Sequence, residues 1–200
     1  MDRLRRLKRH QQQLRLCAKC PGMQGPAVTG IPVISPIVVV GQAPGRHEIE
    51  LRRPFAWSAG KTLFQWFASI GVDESTFRSH VYMAAVCRCY PGKNNGGGDR
   101  VPAKSEIKHC RNWLQWELTF LKPALLIPVG KLAISQFLAV QNLAEIIGKQ
   151  RSTMITADII PLPHPSGVST WYRTLPGKTL LRHALRLIGR HDAWRDELGS

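Results

Sequence analysis

Acidic residues and long apolar runs are both scarce in this sequence of 200 residues. No apolar run approaches the roughly 18 residues that a membrane-spanning helix needs, and the basic N-terminus lacks the apolar segment of a signal peptide. We therefore expect a cytoplasmic, nucleoid-associated protein. With 13 Asp and Glu against 28 Lys and Arg, the formal net charge is +15. This charge, alongside six tryptophans, favours nucleic acid over a membrane surface as the partner.

A disulfide scaffold is not expected, because five cysteines without an export signal point to a metal site or to catalysis. Cys17 and Cys20 form a Cys-x-x-Cys pair, and Cys89 and Cys110 lie far downstream. Thiolates without a histidine partner favour either a [4Fe–4S] cluster or a zinc ion held by four thiolates. Cys87 is left over, and its position at the end of the strand predicted at 81–86 is typical of a buried free cysteine.

Strand and helix patterns alternate along the chain and predict an α/β fold with a parallel sheet covered on both faces. The clearest strand is 37–40, where four consecutive branched aliphatic residues indicate burial on both faces. Further strands are predicted at 81–86, 124–129 and 153–161. Helices are predicted at 1–16, 58–70 and 178–189, from residue 105 onward, and from after residue 130 to about residue 140. We expect one domain over 1–200, in which 1–22 carries a basic helix and two cysteines and 190–200 is a polar tail. The stretch 93–100 is predicted to be a flexible loop.

The turn Gly41-Gln42-Ala43-Pro44-Gly45 follows the central strand directly. Glycines leave backbone N–H groups open to a ligand, and ligands of open α/β sheets bind outside the carboxyl ends of the strands. An ordinary strand-to-helix turn is the alternative interpretation.

His164 lies between two prolines after the last predicted strand, so its side chain is held by a stiff backbone. A held imidazole can donate a hydrogen bond to charge that develops on a leaving group; a histidine that only stiffens a turn is the alternative. The loops 42–48, 52–58 and 164–172 should converge at one edge of the sheet. Phe55 can stack there on a planar ring while arginines contact phosphates, which suits a nucleobase drawn out of DNA.

Five short motifs lie in order between residues 17 and 175. They are Cys17-x-x-Cys20, Gly41-Gln42-Ala43-Pro44-Gly45 with Glu48, Arg53-Pro54-Phe55, Arg88-Cys89-x-Pro91-Gly92 with Cys110, and His164-Pro165-Ser166. In this order they resemble the iron–sulfur uracil-DNA glycosylases of the family 4 and family 5 type.

The resemblance implies a monofunctional glycosylase that flips uracil out of DNA and hydrolyses its N-glycosidic bond, which starts base excision repair. It implies a three-layer α/β/α sandwich with a central four-stranded parallel sheet, and a protein that acts as a monomer on DNA containing uracil or other deaminated bases. It also implies a [4Fe–4S] cluster, whose ligands would be Cys17, Cys20, Cys89 and Cys110.

The resemblance also assigns roles to individual residues. His164 would steady the departing base, with Gln42 and Glu48 as further catalytic residues. The base would be held by Gly41, Ala43, Phe55, Ala85 and Ser166. The DNA would be contacted by Arg46, Arg53, Ser58, Lys61, Val168, Trp171 and Arg173. Of these, Val168 and Trp171 would wedge into the vacated stack.

Two positions depart from the family 4 pattern. Gln42 stands where that type carries a glutamate, and a neutral amide can position water but cannot take its proton. Loss of a general base typically costs ~10²–10⁴ in rate, but a dissociative, cation-like transition state depends less on such a base. We therefore expect retained but weaker activity, with Glu48 or His47 taking part of the role. Ala85 replaces an asparagine that pairs with uracil, so we expect a wider range of bases, including deaminated purines and thymine opposite guanine.

Two other functions fit the same residues. One is a damage-binding protein on this scaffold, silenced by Gln42 and Ala85. The other is a nucleic-acid-binding module held together by zinc.

Overall fold

The sheet is built around one fully buried strand. The computed structural model describes residues 2–152, 157–167 and 169–199. Every residue of β1 (Ile37–Gly41) is buried. It lies between β2 (Tyr82–Ala85) and β3 (Leu125–Pro128) and is parallel to both. Because such a strand has neighbours on both sides and layers on both faces, its side chains are all apolar.

The sheet has five strands in the order β2-β1-β3-β5-β4. β5 (Asp158–Ile159) is parallel to β3, and β4 (Arg151–Ser152) pairs antiparallel to β5 at the edge. The four parallel strands confirm the predicted sheet, and the short edge strand is an addition to it. Within the predicted strand 153–161, residues 153–156 lie outside the described part of the chain.

Helices cover both faces of this sheet, which confirms the α/β/α sandwich. They are α1 (Arg3–Arg15), α2 (Arg46–Leu51), α3 (Ser58–Ala68), α4 (Glu74–His80), α5 (Lys104–Leu121), α6 (Lys131–Ile134), α7 (Gly177–Arg190) and α8 (Asp192–Leu198), with 3₁₀ turns at Leu143–Glu145 and Trp171–Arg173. None of the helices in the described ranges is long and apolar enough to cross a membrane.

Alternate residues of β1 belong to two apolar layers, one on each face. Val39 packs in a layer with residues of α3, α4, α7 and α8, including Leu63, Phe67, Phe77, Leu185 and Trp194. Val38 and Val40 pack in the other layer with residues of α1 and α5, including Leu7, Leu114 and Leu121.

Two predicted segments are wrong in extent. Residues 190–200 do not form a polar tail, because they include α8, in which Trp194 is only 2% exposed. The Trp194 ring lies 5.4 Å from the ring of Phe67, centroid to centroid. Trp194 and Leu198 are four residues apart on one helical face, a spacing that the many charges of this segment hid. The helix predicted up to residue 140 ends at Ile134.

Candidate active site

The end of β1 and the end of β2 lie side by side at the carboxyl edge of the sheet. Gly41 pairs with Ala85 in the parallel ladder. The carbonyl oxygens of Gly41 and Gln42 accept hydrogen bonds from the N–H groups of Val86 and Cys87, each at 3.0 Å. Gln42 and Ala85, the two positions where the sequence departs from the family 4 pattern, therefore lie at the adjacent ends of β1 and β2.

His164 lies at the same edge. The chain after β5 continues beside β3, with the Gly130 N–H donating to the Leu162 carbonyl oxygen at 2.9 Å. Gly130 has φ +87°, and a Cβ added there would lie 2.9 Å from Cδ2 of His164. Only glycine suits this backbone conformation and this close approach. The imidazole thus packs on Gly130, two residues after the end of β3, and β3 is the neighbour of β1.

The surroundings of His164 favour one neutral tautomer. The Ser166 N–H donates to Nδ1 at 3.2 Å, so Nδ1 is the acceptor and Nε2 carries the proton. Burial lowers the pKa of His164 below its ordinary value, and the nearby charge of Asp99 opposes this shift only in part. The ring is therefore a neutral hydrogen-bond donor through Nε2–H.

Phe55 is held in a strained conformation against β1. Its backbone has φ +52°, which is rare for any residue other than glycine. A Cβ added at Gly41 would lie 2.9 Å from the Phe55 ring, and one added at Gly60 would lie 1.7 Å from the Phe55 carbonyl oxygen. The small residues at 41 and 60 are what allow this ring to lie at the end of the central strand.

Arg78 of α4 holds the backbone of the loop that contains Phe55. Its guanidinium donates to the carbonyl oxygens of Pro54 and Phe55, each at 2.9 Å. It also donates to Glu74 at 2.8 Å and lies 4.4 Å from the centre of the Phe64 ring. These contacts compensate for the strain at Phe55, which costs of order 1–3 kcal/mol in such cases.

Glu48 connects two of the loops. Its Oε2 accepts a hydrogen bond from the Gly45 N–H at 2.7 Å, and its Oε1 accepts one from the Ala56 N–H at 3.1 Å. Burial raises the pKa of this carboxyl group, and the backbone hydrogen bonds oppose the rise. Because both oxygens hold backbone groups, this geometry does not support a role for Glu48 as a base. His47 is exposed and lies 3.3 Å from a carboxylate oxygen of Glu50.

Asp99 is a site residue that sequence reasoning missed. A Cβ added at Gly45 would lie 3.3 Å from its Oδ2. Its Oδ1 accepts a hydrogen bond from the Tyr90 hydroxyl at 2.9 Å. The backbones of Lys93 and Asp99 pair as an isolated antiparallel β-bridge across the glycine-rich loop. The signal available was a single acid in a loop otherwise made of glycine, asparagine and basic residues. Asp99 therefore faces the turn after β1.

The predicted DNA contacts differ in exposure. Arg46, Arg53, Ser58, Lys61 and Arg173 are exposed. Trp171 packs partly buried against the apolar layer of α3 and α7, a position that does not suit a wedge. Val168 lies outside the described residues.

Comparison with known proteins identifies the family. The model of the uracil DNA glycosylase superfamily matches residues 30–188. The chain belongs to the uracil-DNA glycosylase superfamily. A type-4 uracil-DNA glycosylase of Archaeoglobus fulgidus is 36% identical over 102 residues, which are 51% of this chain and 46% of that protein. Type-4 enzymes of Pyrobaculum aerophilum and Thermotoga maritima are 29% and 28% identical over 147 and 132 residues. Those two matches cover 72% and 65% of this chain, and 67% and 64% of the relatives.

Four of the five cysteines line one cavity of about 280 Å³ in this superfamily member. Cys17 and Cys20 follow α1, Cys89 follows β2, and Cys110 lies in α5. Burial raises the pKa of Cys89 to about 11, and the negative charges of the other three thiolates add to the shift. Within the described ranges, no three His, Cys, Asp or Glu side chains are grouped to hold a single metal ion.

Two further groups affect the chemistry of this cavity. Cys87 is buried, and its hydrogen bond to Cys110 lowers the pKa of Cys110 to about 6. Arg88 lines the cavity, and its Nη1 is buried without a hydrogen-bond partner among the described residues. Four cysteine sulfurs around one cavity and an unpaired donor fit a cationic group that carries sulfide acceptors, since hydrogen bonds to the sulfurs are usual around such clusters.

The tautomer of His164 leads to a titration prediction. We expect its NMR titration midpoint to lie below the ordinary value of about 6.5, because burial disfavours the imidazolium. Below pH ~6.5 the His164 imidazole then binds a proton more readily in the unfolded chain than in the folded one. The stability of the folded state therefore falls as the pH drops. In Asp99→Asn the midpoint should move lower still, since the charge that opposes the shift is removed. A midpoint at or above 6.5 would contradict the neutral donor.

Proposed function

We propose that this protein is a uracil-DNA glycosylase that hydrolyses the N-glycosidic bond of a base flipped out of DNA and so starts base excision repair. The observation that carries the proposal is the neutral His164, with Nε2–H available, at the sheet edge that also carries Phe55 and the Gly41–Gly45 turn. The type-4 names of the relatives support it. Those alignments cover only part of each relative, so the activity is proposed on the geometry as well.

The flipped base would stack on Phe55 and be read by backbone groups of the turn after β1. Extrusion of a base costs a few kcal/mol, and aromatic stacking and phosphate contacts must offset this cost. Because Phe55 is held by Arg78 and Gly60, its ring is in place before the base arrives. Ala85 offers no amide to the base edge, so the site would accept uracil, deaminated purines and thymine opposite guanine.

His164 would act on the leaving group. When the bond between the sugar C1′ and the base nitrogen breaks, its electron pair leaves with the base, which becomes an anion. Nε2–H would donate a hydrogen bond to the base oxygen on which this charge develops. A single preorganised donor of this kind is worth roughly 100- to 1,000-fold in rate.

Asp99 would take the role that Gln42 cannot fill. Water adds to C1′ of the cation-like sugar, and one of its protons must leave. Gln42 would orient the water through its amide, and the carboxylate of Asp99, which faces the same turn, would accept the proton. Glu48 would instead position the loops, because its oxygens hold the N–H groups of Gly45 and Ala56.

The four cysteines that line the cavity would hold a [4Fe–4S] cluster. Its role here would be structural, since its ligands Cys17, Cys20, Cys89 and Cys110 would join the segment after α1, the segment after β2 and helix α5. A cluster of this kind carries thiolate ligands and accepts hydrogen bonds at its sulfurs, which suits the unpaired Nη1 of Arg88.

Excision from defined oligonucleotides tests the function. We expect purified protein to form abasic sites in DNA that contains uracil, and more slowly in DNA that contains hypoxanthine, xanthine or thymine opposite guanine. His164→Gln should lower the single-turnover rate about 100- to 1,000-fold with little change in DNA affinity. Ala85→Asn should narrow the range to uracil. Tight binding to damaged DNA with no abasic sites would favour the silent damage-binding protein instead.

A second prediction concerns the proton acceptor. Asp99→Asn keeps the shape of the side chain but cannot take a proton, so we expect its single-turnover rate to fall about 100-fold or more. Asp99→Glu should retain part of the rate. The matched control is Asp192→Asn, which changes an exposed carboxylate on α8. Equal rates for the wild type and Asp99→Asn would exclude Asp99 from the chemistry.

A third prediction concerns the cysteines. Protein purified without oxygen should be brown and contain iron and sulfide in equal amounts, and Cys17→Ser or Cys110→Ser should lose both. Cys87→Ala should keep them, because Cys87 is not among the cavity-lining thiols. Colourless protein with stoichiometric zinc and no sulfide would show that the thiolates hold zinc.

A further inference from the structure

A second cavity, of about 570 Å³, lies between α1 and α5. Its lining residues are Arg5, Arg6, Arg9, His10, Gln13, Lys19, Asn112, Trp113 and Trp116; we call it the α1–α5 groove. None of the residues proposed above for the base or the reaction lines it. Lys19 also lines the cysteine cavity, so the two cavities are adjacent. The groove volume is within the ~300–1,000 Å³ range of sites that bind small ligands.

The charge of the groove has one sign. Arg5, Arg6, Arg9 and Lys19 are all exposed, and no carboxylate lines the cavity. In the part of the chain that the structure describes, none of these four cations forms a salt bridge, whereas Arg46 and Arg53 do. Cations left without carboxylate partners around a cavity are free to bind an anionic ligand.

The walls of the groove also carry flat rings. The His10 ring stacks on Trp116 with centroids 3.9 Å apart, and it meets Trp113 edge-on at 5.2 Å. Trp116 stacks in turn on Phe120 at 4.7 Å. The indole Nε1 of Trp113 is buried and has no hydrogen-bond partner among the described residues. The unpaired Nε1 donor calls for a ligand with acceptor atoms, and the indole rings that line the groove offer apolar surface to a planar one.

We infer that the α1–α5 groove binds single-stranded DNA, with phosphates on the arginines and a base against the tryptophans. Single strands are bound by this combination of a basic groove and aromatic platforms, because unpaired bases expose their faces. A duplex exposes only base edges in its grooves and would leave the rings unused. The choice of nucleic acid as the ligand rests on the proposed function. The groove would then bind a part of the DNA strand that lies outside the site of the flipped base.

Fluorescence anisotropy with a labelled, uracil-free oligothymidylate tests this inference on the full chain. In Arg5→Glu/Arg9→Glu we expect at least a tenfold loss of affinity. The salt dependence should also weaken, by about 0.7 in slope for each phosphate that the variant no longer neutralises. The matched control is Arg182→Glu/Arg186→Glu, which makes the same charge change at the same spacing on exposed positions of α7. The control should lose less than threefold.

A second readout follows the rings. Binding of the oligothymidylate should quench tryptophan fluorescence, and Trp113→Phe should reduce both the quenching and the affinity, the affinity by about fivefold or more. Arg5→Glu/Arg9→Glu should leave the single-turnover excision rate at saturating DNA unchanged, because the groove does not contact the reacting base.

Three results would overturn the inference. The α7 control could lose as much affinity as the groove variant, polyglutamate could displace the oligothymidylate from the groove, or free thymidine monophosphate could bind as tightly as the strand. Failure of the proposed function would be seen separately, as wild-type protein that binds the oligothymidylate through the groove and excises no uracil.

Discussion

A buried ion pair between Arg88 and Glu117 connects the parts of this molecule that the proposed chemistry needs. Both side chains are at most 2% exposed, and the Arg88 guanidinium donates to a carboxylate oxygen of Glu117. Arg88 also donates to the Ala85 carbonyl oxygen at 2.9 Å, and the Tyr82 hydroxyl donates to Glu117 at 2.7 Å. Burial alone would raise the pKa of Glu117, but the charge of Arg88 and the hydrogen bonds from His10 and Tyr82 together outweigh burial and hold the pKa low. Removing one partner of such a pair typically costs about 3–5 kcal/mol, so the end of β2 and helix α5 are fixed relative to each other.

The loops at the carboxyl edge are held by polar contacts between residues far apart in the chain, in addition to the apolar packing of Phe55 and Trp171. Glu48 holds the backbone of Gly45 and Ala56, and Arg78 holds the carbonyl groups around Phe55. These contacts fix the ring of Phe55 despite its left-handed backbone. A site that is rigid before the base arrives spends less of the binding energy on ordering the protein. The same reasoning explains why Glu48 serves the site better as a fixed acceptor than as a mobile base.

The sequence predicts the parts of this architecture that depend on local pattern. The branched residues of 37–40 are typical of a buried strand, and the turn after such a strand lies at the carboxyl edge. The proximity of His164 to that edge follows from the parallel topology. The position of Asp99 could not be predicted, because it depends on how a glycine-rich loop folds back over a turn far earlier in the chain. The role of Glu48 was missed because hydrogen bonds to backbone N–H groups leave no side-chain pattern. α8 was missed because three apolar residues among charges are a weak signal over seven residues.

The cysteine segment has a direct mechanical connection to the proposed proton acceptor. Gln24, just after the Cys17–Cys20 pair, exchanges two backbone hydrogen bonds of 2.8 Å with Tyr90. The Tyr90 hydroxyl in turn holds Asp99. A group bound by the four cavity thiols would therefore fix the series of contacts that ends at the turn after β1, without touching the base. The requirement on that group is only that it joins the segment after α1 to Cys89 and α5. A cluster held by these thiols would in this way affect the proposed reaction at the edge of the sheet through a structural role alone.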